Sequence, residues 1–375
     1  MDARRYITSL SVWAIVVSAL VVGVNYLVDP YGITGAPRIE GFNASKADIN
    51  DFARQFKKYQ PLQRQSDTLI VGNSRAEMGI DPTHVCLVDS DGLAYNLAMP
   101  GAGVRMQLNY ALNVMHDQPV SRIFLSVDFI DFISEGTRHP QPTPLMDQRE
   151  GELKFLPDGE RNPAYDVLKL KDYARALYSL DALTSAARTV LGQQAGAADR
   201  TTQGFNPAND MVEIVRVEGA RALYDQKMQN LRNKYSQRWV YTDIQGRRHA
   251  AFDDLDAFLL AAQAQGIEVI AFTHPFHASY WSLFEEVGLM ADYAQWLDAM
   301  QRLFAQHQPT VSAFWDFSGE SPYLAESFGE VGERDNALRW FWEPAHYRSE
   351  LGDKMVADML GAGCEEGGTF GRRLL

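Results

Sequence analysis

Apolar residues fall along this chain in two patterns. The first is one long uninterrupted run, "YITSLSVWAIVVSALVVGVNYLV", Tyr6 to Val28, which contains no charge. At helical rise it covers the ~30 Å hydrocarbon layer of a bilayer, so it predicts a spanning helix. The second is a series of short runs: "TLIVGNS" (Thr68–Ser74), "LAYNLAMPG" (Leu93–Gly101), "RIFLSVDF" (Arg122–Phe129), "IEVIAFTHP" (Ile267–Pro275) and "VSAFWDFSG" (Val311–Gly319). They have strand length and little alternation, as parallel strands covered on both faces do. Helical spacing of apolar residues separates them, in Val104–Gln118, Phe252–Gly266, Ala291–His307 and Ser349–Leu360. Gly266 follows its pattern as a helix stop before the next strand. The prediction is an α/β domain: a five-stranded parallel sheet with helices on both faces.

These patterns divide the chain. Residues 1–30 are the anchor, 31–66 a polar linker, 67–360 the α/β domain and 361–375 a Gly-rich, flexible tail. Arg4 and Arg5 precede the apolar run, which by the positive-inside rule leaves the N-terminus inside and the domain outside the cytoplasmic membrane. A cleaved signal peptide is the competing reading, but the run is long and bulky residues follow it. A long insert, about 133–248, separates the third and fourth strands. It starts rich in Pro and charge, then turns helical, and it lies on the side where α/β proteins bind ligands. It is either a lid or substrate platform or a decoration.

Composition narrows the function classes. Of 375 residues 46% are hydrophobic and 22% charged, as in a folded domain, and a net charge of −13 argues against a nucleic-acid partner. The two cysteines, Cys86 and Cys364, are far apart in sequence and are expected as free thiols.

The carboxyl ends of the strands collect the chemistry-bearing residues. Strand one ends in Asn73-Ser74-Arg75, and strand two in Asn96 followed by "AMPGAG" with Gly101 and Gly103. Strand three ends near Asp128 and Asp131, and strand four near His274 and His277. After strand five comes "RWFWEPAHYRSELG", with Glu343 and His346. That inventory allows Ser-His-acid chemistry, in which the histidine takes the hydroxyl proton and the acid orients the histidine. Each residue also has a plain reading. Ser74 would be a helix cap, Arg75 an exposed arginine at the helix start, His346 a surface histidine, and Gly101 and Gly103 turn residues. Asp316 competes with Glu343 as the acid. A metal site of His274, His277, Asp128 and His346 fits no strong ligand spacing, so neither metal nor cofactor is expected.

"VGNSR" after the first strand and "EPAH" before the last helix resemble the SGNH, or GDSL-like, hydrolase superfamily. Within it the chain is most similar to the membrane-anchored members associated with acylation of extracytoplasmic polysaccharides. The resemblance covers about 66–136 and 246–360. It implies a flavodoxin-like sheet, Ser74 as nucleophile, His346 as base and Glu343 in place of the usual aspartate. It also implies an oxyanion hole using Gly101 or Gly103; a side-chain donor would have to come from Asn73 or Asn96, between which the sequence does not choose. Where the family has an asparagine after strand three, this chain has Asp128, whose charge would repel an oxyanion. Arg75, Asp128, His274 and His277 are expected around the cleft.

The resulting expectation is an outward-facing serine esterase or O-acyltransferase acting on acyl, most simply acetyl, esters of a cell-envelope or exported polysaccharide. Family analogy adds a multi-spanning acyl donor protein as partner. The aromatics Tyr280, Trp281, Trp340, Phe341 and Trp342 would stack on sugar rings or fill the core. The alternative is a non-catalytic envelope protein of the same fold that binds glycan or scaffolds an export complex.

Overall fold

The computed structural model describes residues 3–91, 93–141, 151–193, 199–334, 338–361 and 370–375. Each of the five short apolar runs contains a strand. β1 (Thr68–Val71), β2 (Ala94–Asn96) and β3 (Arg122–Val127) come first. A small pair, β4 (Ser134–Glu135) with β5 (Trp239–Val240), frames the insert, and β6 (Glu268–Thr273) and β7 (Val311–Asp316) follow. A hairpin of β8 (Phe341–Glu343) and β9 (His346–Tyr347) precedes the short terminal strand β10 (Arg372–Arg373). The main sheet has six strands, one more than the five expected: it runs β10-β7-β6-β3-β1-β2, parallel throughout except at the added edge strand β10, which is antiparallel. Thr68 pairs with both Ala94 and Arg122, and Arg122 with Glu268, so these strands start level and their carboxyl ends share one edge.

Continuous apolar strands are explained by two cores, one on each face. Leu69, Val71, Ile123, Leu125 and Val269 pack with the helices Val104–Met115, Ala251–Ala264 and Met290–Gln306. Ile70, Phe124, Ile270 and Phe272 point the other way, onto Ala76, Ile80, Leu351, Met355 and Val356. Successive strand residues alternate faces, so both faces must be apolar. Fully burying one such Leu or Ile contributes about 1.5–3 kcal/mol. The helix Ala3–Val28 (26 residues) is long and apolar enough to cross a membrane.

Three expectations need correction. The polar segment 31–66 is no loose linker: Tyr31, Ile33, Ile49, Phe56 and Tyr59 are buried, and residues Ala53–Gln63 form a helix. Its Lys57 is buried too, donating to the carbonyls of Asn96 (2.6 Å) and Gly204, beside Glu77. The tail is not free at its end, since β10 pairs Arg372 and Arg373 with Asp316 and Trp315. Its residues 362–369 lie outside the described residues. Cys86 is disulfide-bonded rather than a free thiol; Cys364, the chain's only other cysteine, also lies outside them.

Candidate active site

β1 delivers the serine. The strand ends at Val71, Asn73 caps the next helix by accepting from the Arg75 N–H (3.0 Å), and Ser74 is that helix's first residue. The capping role therefore belongs to Asn73, which leaves the Ser74 hydroxyl for another partner. That partner is His346, whose Nε2 lies 2.8 Å from Ser74 Oγ. His346 Nδ1 in turn hydrogen-bonds Glu343 Oε1.

The Glu-x-x-His spacing has a local cause. β8 ends at Glu343, β9 begins at His346, and Pro344-Ala345 form the two-residue turn between them, so acid and base face each other across the hairpin. The turn is fastened from outside: the His277 N–H donates to Pro344 O (3.1 Å) and Arg75 Nε to Ala345 O (2.8 Å). Glu343 is buried, and its second oxygen accepts from the Ala345 N–H (2.9 Å). Burial alone would raise its pKa, but the adjacent His346 and these hydrogen bonds hold it below the usual carboxylate range. Glu343 is thus a charged acceptor that fixes the imidazole with Nε2 free to take the serine proton. Asp316, the competing acid, is bonded elsewhere, to Thr273, Ser318 and Arg372.

Two glycines let these elements close up. A Cβ on Gly79 would fall 1.9 Å from the Tyr347 ring, and one on Gly352 would fall 1.6 Å from Gly79 O. The serine helix and the helix Ser349–Leu360 therefore approach backbone to backbone, and the Tyr347 ring of β9 lies flush on the Gly79 backbone, at distances any side chain would forbid.

Beneath the serine, Arg75 is buried and paired with buried Asp128, which also accepts from Asn73 Nδ2 (2.8 Å). Arg75 is therefore not the exposed helix-start residue of its plain reading. Burial would raise the Asp128 pKa, but the Arg75 guanidinium keeps it below the usual range. Its charge is neutralised and turned inward, so the repulsion expected at this position is removed. Replacing Arg75 by methionine should strand that carboxylate and cost about 3–5 kcal/mol in urea unfolding at neutral pH. Adding Asp128→Asn should restore much of the loss; a single-variant effect under about 1 kcal/mol would contradict this account.

Asn73, Ser74, Arg75, Gly101, Gly103, Glu343 and His346 line one cleft of about 460 Å³. Gly103 caps the helix Val104–Met115, and Gly101 turns the chain at φ +62°. Neither the Ser74 nor the Gly103 N–H makes a hydrogen bond among the described residues, so both are available to an oxyanion.

Other expected residues lie elsewhere. Asn96 is buried, giving its amide to the carbonyls of Ala76 (2.9 Å) and Ile80 (2.8 Å), which ties β2 to the serine helix. It is a structural residue, not an oxyanion donor. His274 sits under the site against the Tyr347 hydroxyl (3.2 Å), its pKa pushed down to about 3 by burial. His277 caps the helix Ala278–Glu286 and bonds Glu326 O (2.8 Å). With Asp128 paired to Arg75, these histidines and His346 do not form a metal site; among the described residues no cluster of three or more such ligands exists. Tyr280, Trp281, Phe341 and Trp342 pack into the interior, and Trp340 packs on Tyr323; none lines the cleft.

The cleft has one wall that sequence reasoning did not assign. Lys227, Asn230, Leu231 and Lys234 project into it from the insert helix Ala220–Tyr235. Their spacing of three, four and seven marks one helix face, but in so polar a helix that face looks like any solvated one. Asp131 lies opposite, its carboxyl pushed up to about 8 by burial and then by the Asp128 charge, despite a hydrogen bond from Gln107 (3.1 Å). A raised folded-state pKa means that the folded protein holds a proton the unfolded chain releases. Stability then falls as pH rises from about 4 to about 8. Asp131→Asn should accordingly raise the melting temperature at pH 8 and leave it nearly unchanged at pH 4; an equal shift at both would contradict the assignment.

No protein-family model matches the chain, and no curated protein matches it.

Proposed function

We propose that the protein is an SGNH-type serine esterase or O-acyltransferase, acting on acyl esters, most simply acetyl, of a cell-envelope or exported polysaccharide. The observation that carries this reading is the Ser74–His346–Glu343 chain of hydrogen bonds opening into a cleft. In the first step Ser74 Oγ attacks the acyl carbonyl while His346 Nε2 takes its proton. The carbonyl oxygen becomes an oxyanion that the N–H groups of Ser74 and Gly103 stabilise. The ester C–O bond then breaks, and His346 returns the proton to the departing alkoxide, leaving acyl-Ser74. In the second step an acceptor hydroxyl attacks the acyl-serine carbonyl and gives its proton to His346, the acyl C–Oγ bond breaks, and His346 passes that proton to Ser74 Oγ, regenerating both residues. Water as acceptor makes the enzyme an esterase, and a sugar hydroxyl makes it a transferase.

The sheet order supports the flavodoxin-like reading, since its parallel part follows the 2-1-3-4-5 sequence of strands and the cleft lies at its carboxyl edge. The paired state of Asp128 removes the main argument for a non-catalytic protein of this fold. An extracytoplasmic setting is supported by the apolar N-terminal helix and by the disulfide at Cys86, a bond that persists in oxidising compartments.

Acylation is common to hydrolases and transferases, so it tests the reading without a natural acceptor. Full-length protein in detergent, given p-nitrophenyl acetate and quenched in acid, should show a burst of p-nitrophenol and an acetyl group on the Ser74 peptide by mass spectrometry. Absence of acetyl from that peptide, with or without nitrophenol release, would overturn the proposal.

A further inference from the structure

The apolar N-terminal helix does not leave the domain as a bare stalk. Along its last three turns it packs against two insert helices, Tyr165–Leu177 and Leu180–Leu191. Two of its polar side chains are committed to the tip between them. Asn25 Nδ2 donates to Leu177 O (3.0 Å), and Ser18 Oγ shares a hydrogen bond with the Tyr178 hydroxyl (3.0 Å). Counted along the helix from Tyr6, Asn25 stands about 28 Å and Ser18 about 18 Å from the start. In a hydrocarbon layer of ~30 Å, the tip backbone therefore reaches the boundary, and the Tyr178 hydroxyl lies about 10 Å inside it.

Beyond these two contacts the tip is open. Tyr178 is 62% exposed and Leu180 79% exposed, while Lys171 and Arg175 are exposed just before them. We propose that this helical hairpin is a second membrane contact, with Tyr178 and Leu180 entering the acyl boundary of the leaflet on the domain's side. Lys171 and Arg175 meet the phosphate groups there. The arrangement follows the general pattern of interfacial helices: apolar and aromatic residues at the boundary, with cationic residues at headgroup level. The paired Ser18 and Tyr178 hydroxyls, and the Leu177 carbonyl that accepts from Asn25 Nδ2, are polar groups that hydrocarbon would otherwise leave unpaired. With two attachments rather than one, the domain cannot swivel freely about its anchor. This inference rests on the apolar helix and not on the catalytic reading.

The test uses full-length protein reconstituted in phosphatidylethanolamine–phosphatidylglycerol vesicles containing nitroxide-labelled acyl chains. The variants Tyr178→Cys, Leu180→Cys, Val16→Cys within the apolar helix and Leu260→Cys on the exposed face of a domain helix each carry an NBD label. Probes at 178 and 180 should show blue-shifted emission and quenching approaching that at 16, and the probe at 260 neither. Because Leu180 is largely exposed, its variant tests the proposal even if Tyr178→Cys loosens the tip. Quenching at 16 with 178 and 180 behaving like 260 would overturn the hairpin contact. No quenching at any position would overturn the membrane placement of the helix as well.

Discussion

Substituting alanine for Ser74 is expected to lower kcat for an activated acetyl ester by about 10⁵–10⁶, and His346→Ala to lower it about as much. The reason is geometric. With Oγ 2.8 Å from His346 Nε2, the hydroxyl loses its proton in the same motion that brings it onto the carbonyl. Without the serine the histidine has no nucleophile to activate, and without the histidine the hydroxyl stays protonated. The two residues act as one unit, so the double variant should be scarcely slower than either single one. Free N–H groups at Ser74 and Gly103 would still favour a tetrahedral intermediate, which leaves residual catalysis about 10³-fold above water. Steady-state assays on the three variants measure this, and additive losses would mean that Ser74 and His346 do not work together.

Glu343→Gln is the second large effect, with kcat expected to fall about 10³–10⁴-fold and little loss of fold. The carboxylate can only accept, which forces the His346 proton onto Nδ1 and leaves Nε2 as acceptor for the serine. A glutamine amide can donate instead, allowing the opposite tautomer, in which Nε2 holds a proton and cannot take another. Glutamine nearly preserves shape, and it also removes a buried charge, so unfolding should change much less than activity. Glu343→Asp separates orientation from charge. It keeps an acceptor but shortens the reach by one methylene, and should recover part of the rate. A Gln variant with near-parental kcat would move the acid's role away from Glu343.

The Ser74–His346–Glu343 arrangement was legible because each of its parts leaves a local mark. A buried parallel strand is a continuous apolar run, so the place where "TLIV" gives way to "GNSR" marks the sheet edge and puts Ser74 there. The spacing of Glu343 and His346 is that of a two-residue hairpin turn, though nothing local foretold the hairpin itself: β8 and β9 are too short to show alternation. The five strands were legible for the same reason as β1. What could not be read depends on contacts between distant segments. Arg75 meets Asp128 across 53 positions, and each alone looks like a surface charge. The polar 31–66 segment buries Lys57 because carbonyls of Asn96 and Gly204 receive its ammonium, a compensation no composition count reveals. Likewise β10 is two arginines, which no pattern would name a strand until Trp315 and Asp316 are beside them. Asn96 misled in the opposite sense, since a polar residue at a strand end suggests the cleft, whereas here it binds a helix end from inside.

The Arg75–Asp128 pair also bears on how Ser74, His346 and Glu343 are held together. Arg75 follows Ser74 in sequence, pairs beneath it with Asp128 and reaches the Ala345 carbonyl in the turn between Glu343 and His346. Its guanidinium carbon lies 4.8 Å from the centre of the Phe276 ring, a cation–π contact. One buried cation thus joins the serine's helix, the end of β3 and the hairpin. A site built from three separate segments needs such a tie to keep its hydrogen bonds at reacting distance.

The most direct measurement is covalent labelling of the full-length protein by a fluorophosphonate, read by peptide mass spectrometry. The probe reacts with a serine only when a neighbouring base activates it. One phosphonyl adduct is expected, on Ser74, lost in His346→Ala while the fold is retained. Labelling absent from Ser74, or undiminished by His346→Ala, would contradict it.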